Sequence, residues 1–232
     1  MRNILLLATF LLSTSAFGQV RQSRPPGWGL TGDDPGGYDF VVDTTVRHGG
    51  KDSASISPKN TAVANKFGSL VQAIRPDDYR GKRIRFSGYV KTENVGEKVE
   101  LWARVDGPGM RMLDFSNMDD RMIKGTTDWK KYDLVIDVPT DAEAIVFGAF
   151  LGGTTGQAWI DDLKLEAVAN DIPKTSNVIS EADRKEEEES LKQTPQEEID
   201  KTIASYRALS TRPVNLDFEQ TAANDGVTTK KP

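Results

Sequence analysis

Residues 157–166 read Gln-Ala-Trp-Ile-Asp-Asp-Leu-Lys-Leu-Glu, and the alternation in this stretch decides how the rest of the chain is understood. In an extended chain alternate side chains share a face. Trp159, Asp161, Leu163 and Leu165 are therefore expected on one side, with Ile160, Asp162, Lys164 and Glu166 on the other. The first row is apolar apart from Asp161. A carboxylate on a core face needs a cation, an Arg or several hydrogen bonds to offset its lost hydration, which marks Asp161 as a residue with a task.

Upstream the same period recurs in short runs. Strands are predicted over residues 38–43, 53–57, 67–74, 82–92, 99–106, 112–118, 129–138 and 144–151, separated by Gly-, Pro- and Asp-rich turns. The run 144–151 is almost wholly apolar, as a central strand covered on both faces would be. In 82–92, Ile84, Phe86, Gly88 and Val90 form the inner row and Arg83, Arg85, Ser87, Tyr89 and Lys91 the outer one. In 99–106, Val99, Leu101, Ala103 and Val105 face in, while Glu100, Trp102, Arg104 and Asp106 face out. Eight or nine short strands with no helical pattern among them predict an all-β, antiparallel sandwich. His48, the only histidine, stands beside Gly49 and Gly50 and reads as a turn residue. No neighbour supplies the geometry by which a catalytic triad is recognised.

The flanks differ from this body. Arg2, the apolar run at residues 4–12 and Ala16-Phe17-Gly18 form the pattern of a secretory signal peptide over residues 1–18. Export to the periplasm or beyond is the expectation, with no membrane span predicted after residue 18. The chain has no Cys, which excludes disulfides, thiol catalysis and thiolate metal sites. A net charge of −5 over 232 residues argues against nucleic acid as a partner. After the predicted sandwich of residues 19–169, residues 170–212 form an acidic linker and helix, with the run Glu186 to Glu189 read as a solvated helix face or a disordered spacer. Thr194-Pro195-Gln196-Glu197 looks like a capping box, followed at helical spacing by Ile199, Ile203, Tyr206 and Leu209. Residues 213–220 are a candidate last strand, and residues 221–232 read as a disordered tail.

Several motifs carry a resemblance: Trp28-Gly29-Leu30-Thr31-Gly32, Tyr79-Arg80-Gly81-Lys82, Ser87-Gly88-Tyr89-Val90-Lys91-Thr92, Leu101-Trp102-Ala103-Arg104-Val105-Asp106-Gly107, Asp114-Phe115-Ser116-Asn117-Met118, Gly125-Thr126-Thr127-Asp128-Trp129 and Trp159-Ile160-Asp161-Asp162-Leu163. Through them residues 27–168 resemble a family of secreted and regulator-attached bacterial domains with a galactose-binding-like jelly roll, similar to carbohydrate-binding modules. The resemblance implies a jelly-roll β-sandwich. Such modules usually begin with a strand like Asn-Leu-Asp-Phe-Glu, which stands here at residues 215–219, so these residues are expected to return to the sandwich as an edge strand. Related jelly rolls often hold calcium near that junction. Asp161 and Glu219 are then the candidate metal ligands; the alternative is that Asp161 accepts hydrogen bonds from backbone amides or pairs with an Arg. No other cofactor is expected.

The leading functional expectation is an exported, non-catalytic module that binds carbohydrate. Sugar recognition places an aromatic ring against a pyranose face and planar polar groups on its hydroxyls. Tyr89, Trp102, Arg104, Asp106, Asp114, Asn117 and Arg121 are the candidate ligand-binding residues; the bland alternative is that Trp102 and Arg104 pack and pair on a solvated face. Two competitors stand beside it. A glycoside hydrolase needs paired carboxylates, for which Asp106, Asp114, Asp119 and Asp120 qualify by type only. An envelope interaction protein would use the acidic helix to hold a protein partner.

Overall fold

The computed structural model describes residues 24–220. The expected signal peptide and the expected disordered tail lie outside the described residues. Nine strands and two helices follow in order: β1 (Gly29–Thr31), β2 (Tyr38–Asp43), β3 (Ser53–Pro58), β4 (Phe67–Ile74), β5 (Lys82–Asp106), β6 (Met112–Asn117), β7 (Ile123–Val138), β8 (Ala144–Gly152), β9 (Gln157–Val168), α1 (Glu181–Gln193) and α2 (Gln196–Arg207). All strand pairings are antiparallel. The fold is an antiparallel jelly-roll β-sandwich.

Its organiser is β5, which joins the two strands expected at 82–92 and 99–106 into one of 25 residues. The N-terminal half pairs with β7 and β9, from Arg83↔Val168 to Glu93↔Gln157 on the β9 side. The C-terminal half pairs with β8 and β6, from Lys98↔Gly152 to Asp106↔Ala144 on the β8 side. Between them the register slips and Asn94 takes a positive φ of 51°, so the strand bends and passes from one layer to the other. One layer thus runs β7-β5-β9-β3-β2 and the opposing layer β6-β5-β8-β4-β1. Apolar rows from both meet between them; the rings of Phe86 on β5 and Phe147 on β8, for example, lie 5.0 Å apart.

In β9 the simple alternation fails. Asp162 has a φ of 48°, and the pairing with β5 steps from Ser87↔Lys164 to Tyr89↔Asp161, so one extra residue is inserted on the β9 side. Ala158 and Ile160 face the core before this bulge and Leu163 and Leu165 after it. Trp159 and Asp161 are turned to the outer face, contrary to the expectation that they share a face with the leucines. Gly88 sits opposite: a Cβ there would collide with the Leu163 side chain.

The chain beyond β9 wraps the sandwich. Thr175 and Asn177 donate their backbone N–H groups to Val135 on β7 (2.9 Å) and Phe115 on β6 (2.8 Å), so this segment straps the open side between the two layers. The Glu186 to Glu189 run lies in α1, whose capping box is formed by Ser180 and Asp183. The box expected at Thr194 is absent, because Thr194 closes α1 and donates its hydroxyl to Ser190 O. On α2, Ile199, Thr202 and Tyr206 are buried, and Tyr206 and Leu209 pack on Val71, Trp102, Val146 and Phe150. This contact explains why β8 is buried along its whole length. Residues 213–220 do return to the sandwich, but as irregular chain, not the expected edge strand. Asn215 and Phe218 adopt φ values of 49° and 58°, incompatible with a ladder. Phe218 is a plug, fully buried against Trp28 at 5.4 Å between ring centroids.

Candidate functional site

The helices settle which faces are open. The outer face of the β6-β5-β8-β4-β1 layer carries Trp102, and α2 covers it. Trp102 is 4% exposed and donates its indole N–H to Ser69 Oγ at 2.9 Å. Beside it Arg104 and the fully buried Asp106 form an ion pair at 2.8 Å, and the Tyr206 hydroxyl donates to Asp106 at 2.7 Å. The solvated aromatic face expected at Trp102, Arg104 and Asp106 is therefore a docking seat for the chain's own helix. Asp114 is buried as well, accepting from the N–H groups of Phe115 and Asp137 and from Lys174. Asn117 exchanges hydrogen bonds with Asn177 of the strap. Arg121 is bound to Asp120 and to the carbonyl oxygen of Asp133. Of the expected ligand residues, Trp102, Arg104 and Asp106 are brought together under the helix, Asp114 and Asn117 hold the strap, and Tyr89 and Arg121 stand apart from both groups, each partly exposed.

Of the carboxylates weighed for hydrolysis, Asp106 and Asp114 are buried in these contacts and Asp120 pairs with Arg121 at the surface. Asp119 stands with Glu100 around Lys98, whose Nζ lies 2.9 Å from Glu100 and 3.0 Å from Asp119. Burial pushes the Glu100 carboxyl up to about 7, a value suited to a general acid. Glu100 is nevertheless 0% exposed, so no substrate atom reaches it.

Asp161 and Glu219 meet at one loop, residues 44–52. Asp161 Oδ2 accepts from the N–H groups of His48 (2.8 Å) and Gly49 (3.0 Å), and Oδ1 from Asp162 N–H (2.7 Å). Glu219 Oε1 accepts from Lys51 and Asp52 N–H, which holds the Glu219 carboxyl below the usual carboxylate range. Burial raises the Asp161 carboxyl even against its three amides. Both acids thus face N–H dipoles, whereas calcium needs a shell of oxygens. The described residues contain no cluster of three or more acidic or His side chains able to hold a metal, and the residues present do not fit calcium. This arrangement is the amide-accepting alternative for Asp161, and it costs the loop a glycine: Gly50 has a φ of 52°, and a Cβ there would run into the Glu219 carboxylate.

What the Asp161 anchor achieves is to lay His48 across the outer face of the other layer. The His48 ring stacks on Tyr89 of β5 with centroids 3.5 Å apart and meets Trp129 of β7 edge-on at 5.8 Å. Its Nδ1 lies 2.7 Å from Asp162 Oδ2. Lys91 pairs with Asp128 at 2.9 Å on the same side, holding the Asp128 carboxyl low. No hydrogen bond or ion pair among the described residues joins α1 or α2 to this face. The four tryptophans separate sharply here. Trp28, Trp102 and Trp159 are each 4% exposed, with the indole N–H given to Asn215 O, Ser69 and Asp43 respectively. Trp129 is half-buried, and no hydrogen bond among the described residues uses its indole N–H. Neither Trp129 nor His48 stood among the expected ligand residues. The available signal was the outward row Trp129, Lys131, Asp133 on β7; for His48 no local signal exists, because its position depends on a carboxylate 113 residues away.

No family model matches the chain. It is similar to an uncharacterized HTH-type transcriptional regulator of Bacillus subtilis (strain 168), YbfP, with 36% identity over 155 residues, 67% of this chain and 52% of that protein. The chain spans about half the length of that curated relative. Among solved structures, the enzymatically active domain of bacteriophage CBA120 tailspike protein 4 has a TM-score of 0.48 at 14% identity, over 63% of this chain and 20% of that one. The CBM22-1 xylan-binding domain of Paenibacillus barcinonensis Xyn10C gives 0.46 at 12%, over 63% of this chain and 88% of that one. The module TmCBM61, solved with beta-1,4-galactotriose, gives 0.43 at 16%, over 63% and 92%. None of the three decides what this chain binds.

Proposed function

We propose that this chain is a non-catalytic carbohydrate-binding module whose ligand lies on the open face of the β7-β5-β9-β3-β2 layer. The observation that carries the reading is Trp129. A partly exposed indole with an N–H that no described residue uses offers an apolar plate and a donor in one group, which suits the apolar face and hydroxyls of a pyranose. His48 stands against it, backed by Tyr89, and Asp162 and Lys91 provide a carboxylate and an ammonium at the margin. The anchoring of the loop at residues 44–52 by Asp161 and Glu219 keeps this surface in one arrangement, which lowers the ordering cost of binding.

Trp129→Ala tests it on a glycan array. Loss of a stacking plate costs roughly 1 to 3 kcal/mol, about five- to 150-fold in affinity, and a melting curve of the variant shows whether the fold is kept. If wild type and variant bind every glycan equally, or neither binds any, the proposal falls.

A further inference from the structure

The chain is acidic overall, yet the lining of one cleft beside the edge strand β7 holds four cations and a single carboxylate, Asp133. Arg121, Lys124, Lys130 and Lys131 line this cleft of about 450 Å³. Consecutive residues of a strand point to opposite sides, so Lys131 lies on the outer face with Trp129 while Lys130 turns toward Tyr132, its Nζ 5.4 Å from that ring's centre. Arg121 is fixed across the cleft by Asp120 and by Asp133 O, and the carboxylate of Asp133 is directed to Arg85 at 3.3 Å. None of the ion pairs among the described residues involves Lys124, Lys130 or Lys131. Cations gathered in a concave site repel one another and raise the local concentration of anions. The lining is not purely ionic: the Tyr132 ring and Met122, 37% exposed, give it an apolar wall.

We infer that this cleft is a subsite for an acidic sugar unit, so that the ligand of the Trp129 face is an anionic polysaccharide bearing carboxylate or sulfate groups. The inference rests on the carbohydrate-binding reading above and deepens it. A small free anion would engage the cations alone; a sugar ring also covers the Tyr132 and Met122 wall, and Lys131, which lines the cleft, shares the outer face of β7 with Trp129.

The test uses the full chain and its Lys124→Gln/Lys130→Gln double variant in native gels containing polygalacturonate, a sulfated galactan, a neutral galactan or neutral xylan, with duplex DNA as a separate competitor. Both lysines are exposed, so the variant folds, and its melting curve verifies this. Wild type should be retarded most by an acidic polysaccharide, increasingly so at low salt. The double variant should lose about tenfold in that affinity, two rim charges' worth, and keep any neutral-glycan binding. Retention by polygalacturonate alone identifies carboxylate as the group read, by the sulfated galactan alone sulfate, and equal retention charge itself; each supports the inference. Equal retention by acidic and neutral glycans, acidic binding unchanged in the double variant, or DNA held more tightly than any glycan overturns it. In the first two cases a loss with Trp129→Ala leaves the carbohydrate-binding reading standing.

Discussion

Replacing Glu100 by Gln should flatten the dependence of stability on pH, by an amount set by where that carboxyl sits. Glu100 is fully buried on β5, beside Lys98 and within reach of Asp119's field. Burial lifts it from an ordinary 4.5 to about 7, and Lys98 recovers only part of the lost hydration. The folded state therefore holds this proton more tightly than the unfolded chain. The resulting stabilisation is complete below about 4.5 and is lost as pH rises through about 7. At 1.36 kcal/mol for each pH unit between the two values, the loss by pH 8 is about 3 kcal/mol. Gln keeps the shape without the titration, and Lys98 retains Asp119 as a partner. Urea unfolding of wild type and variant at pH 5 and pH 8 measures the effect as a double difference. This cancels the other carboxyls, among which Glu187 and Asp161 are raised by burial and Asp137 is lowered by Arg83. Because part of the loss has already occurred by pH 5, the variant should gain about 2 to 3 kcal/mol on wild type between the two pH values. A double difference under about 0.5 kcal/mol, the usual error of additivity, would show that Glu100 is ionised in the fold at little cost and refute the reasoning.

Two further outcomes are expected from the packing. Trp102→Ala empties the seat of Tyr206 and should cost about 3 to 5 kcal/mol in chemical denaturation while leaving glycan affinity per folded molecule unchanged; a loss of binding without a loss of stability would return Trp102 to the ligand site. Melting curves in excess chelator and in millimolar calcium should coincide, since a cation that binds only the folded state raises its stability and the carboxylates of Asp161 and Glu219 are already given to amides; a rise in melting temperature with calcium would contradict that arrangement.

Strand positions were legible because a period of two is a local property. β2 and β4 begin and end where the pattern does, and the apolar run at 144–151 is the buried β8. Tyr89 was legible for the same reason, as an aromatic in an outward row. Trp129 was less so: its strand was read, but its value as a plate depends on its being the one tryptophan of the four that stays partly exposed. The identity of the capped helix was misread because Thr194-Pro195-Gln196-Glu197 and Ser180-Glu181-Ala182-Asp183 both satisfy the local pattern, and hydrogen bonding selects the second.

By itself the sequence determined the class of the fold, the alternating rows and the apolar stripe of α2, since each rests on side-chain chemistry at short range; the return of residues 213–220 to the sandwich was expected only from the family resemblance. Only the tertiary structure decided which outer face is a surface. One inserted residue at Asp162 moves Asp161 from a core row to an outer one, where it anchors a distant loop by its amides. A tyrosine 100 residues beyond Asp106 closes over the face that held the expected site. Alternation reports that two faces differ, but exposure is a property of everything that packs against a face, and those segments are brought there by contacts far apart in the chain.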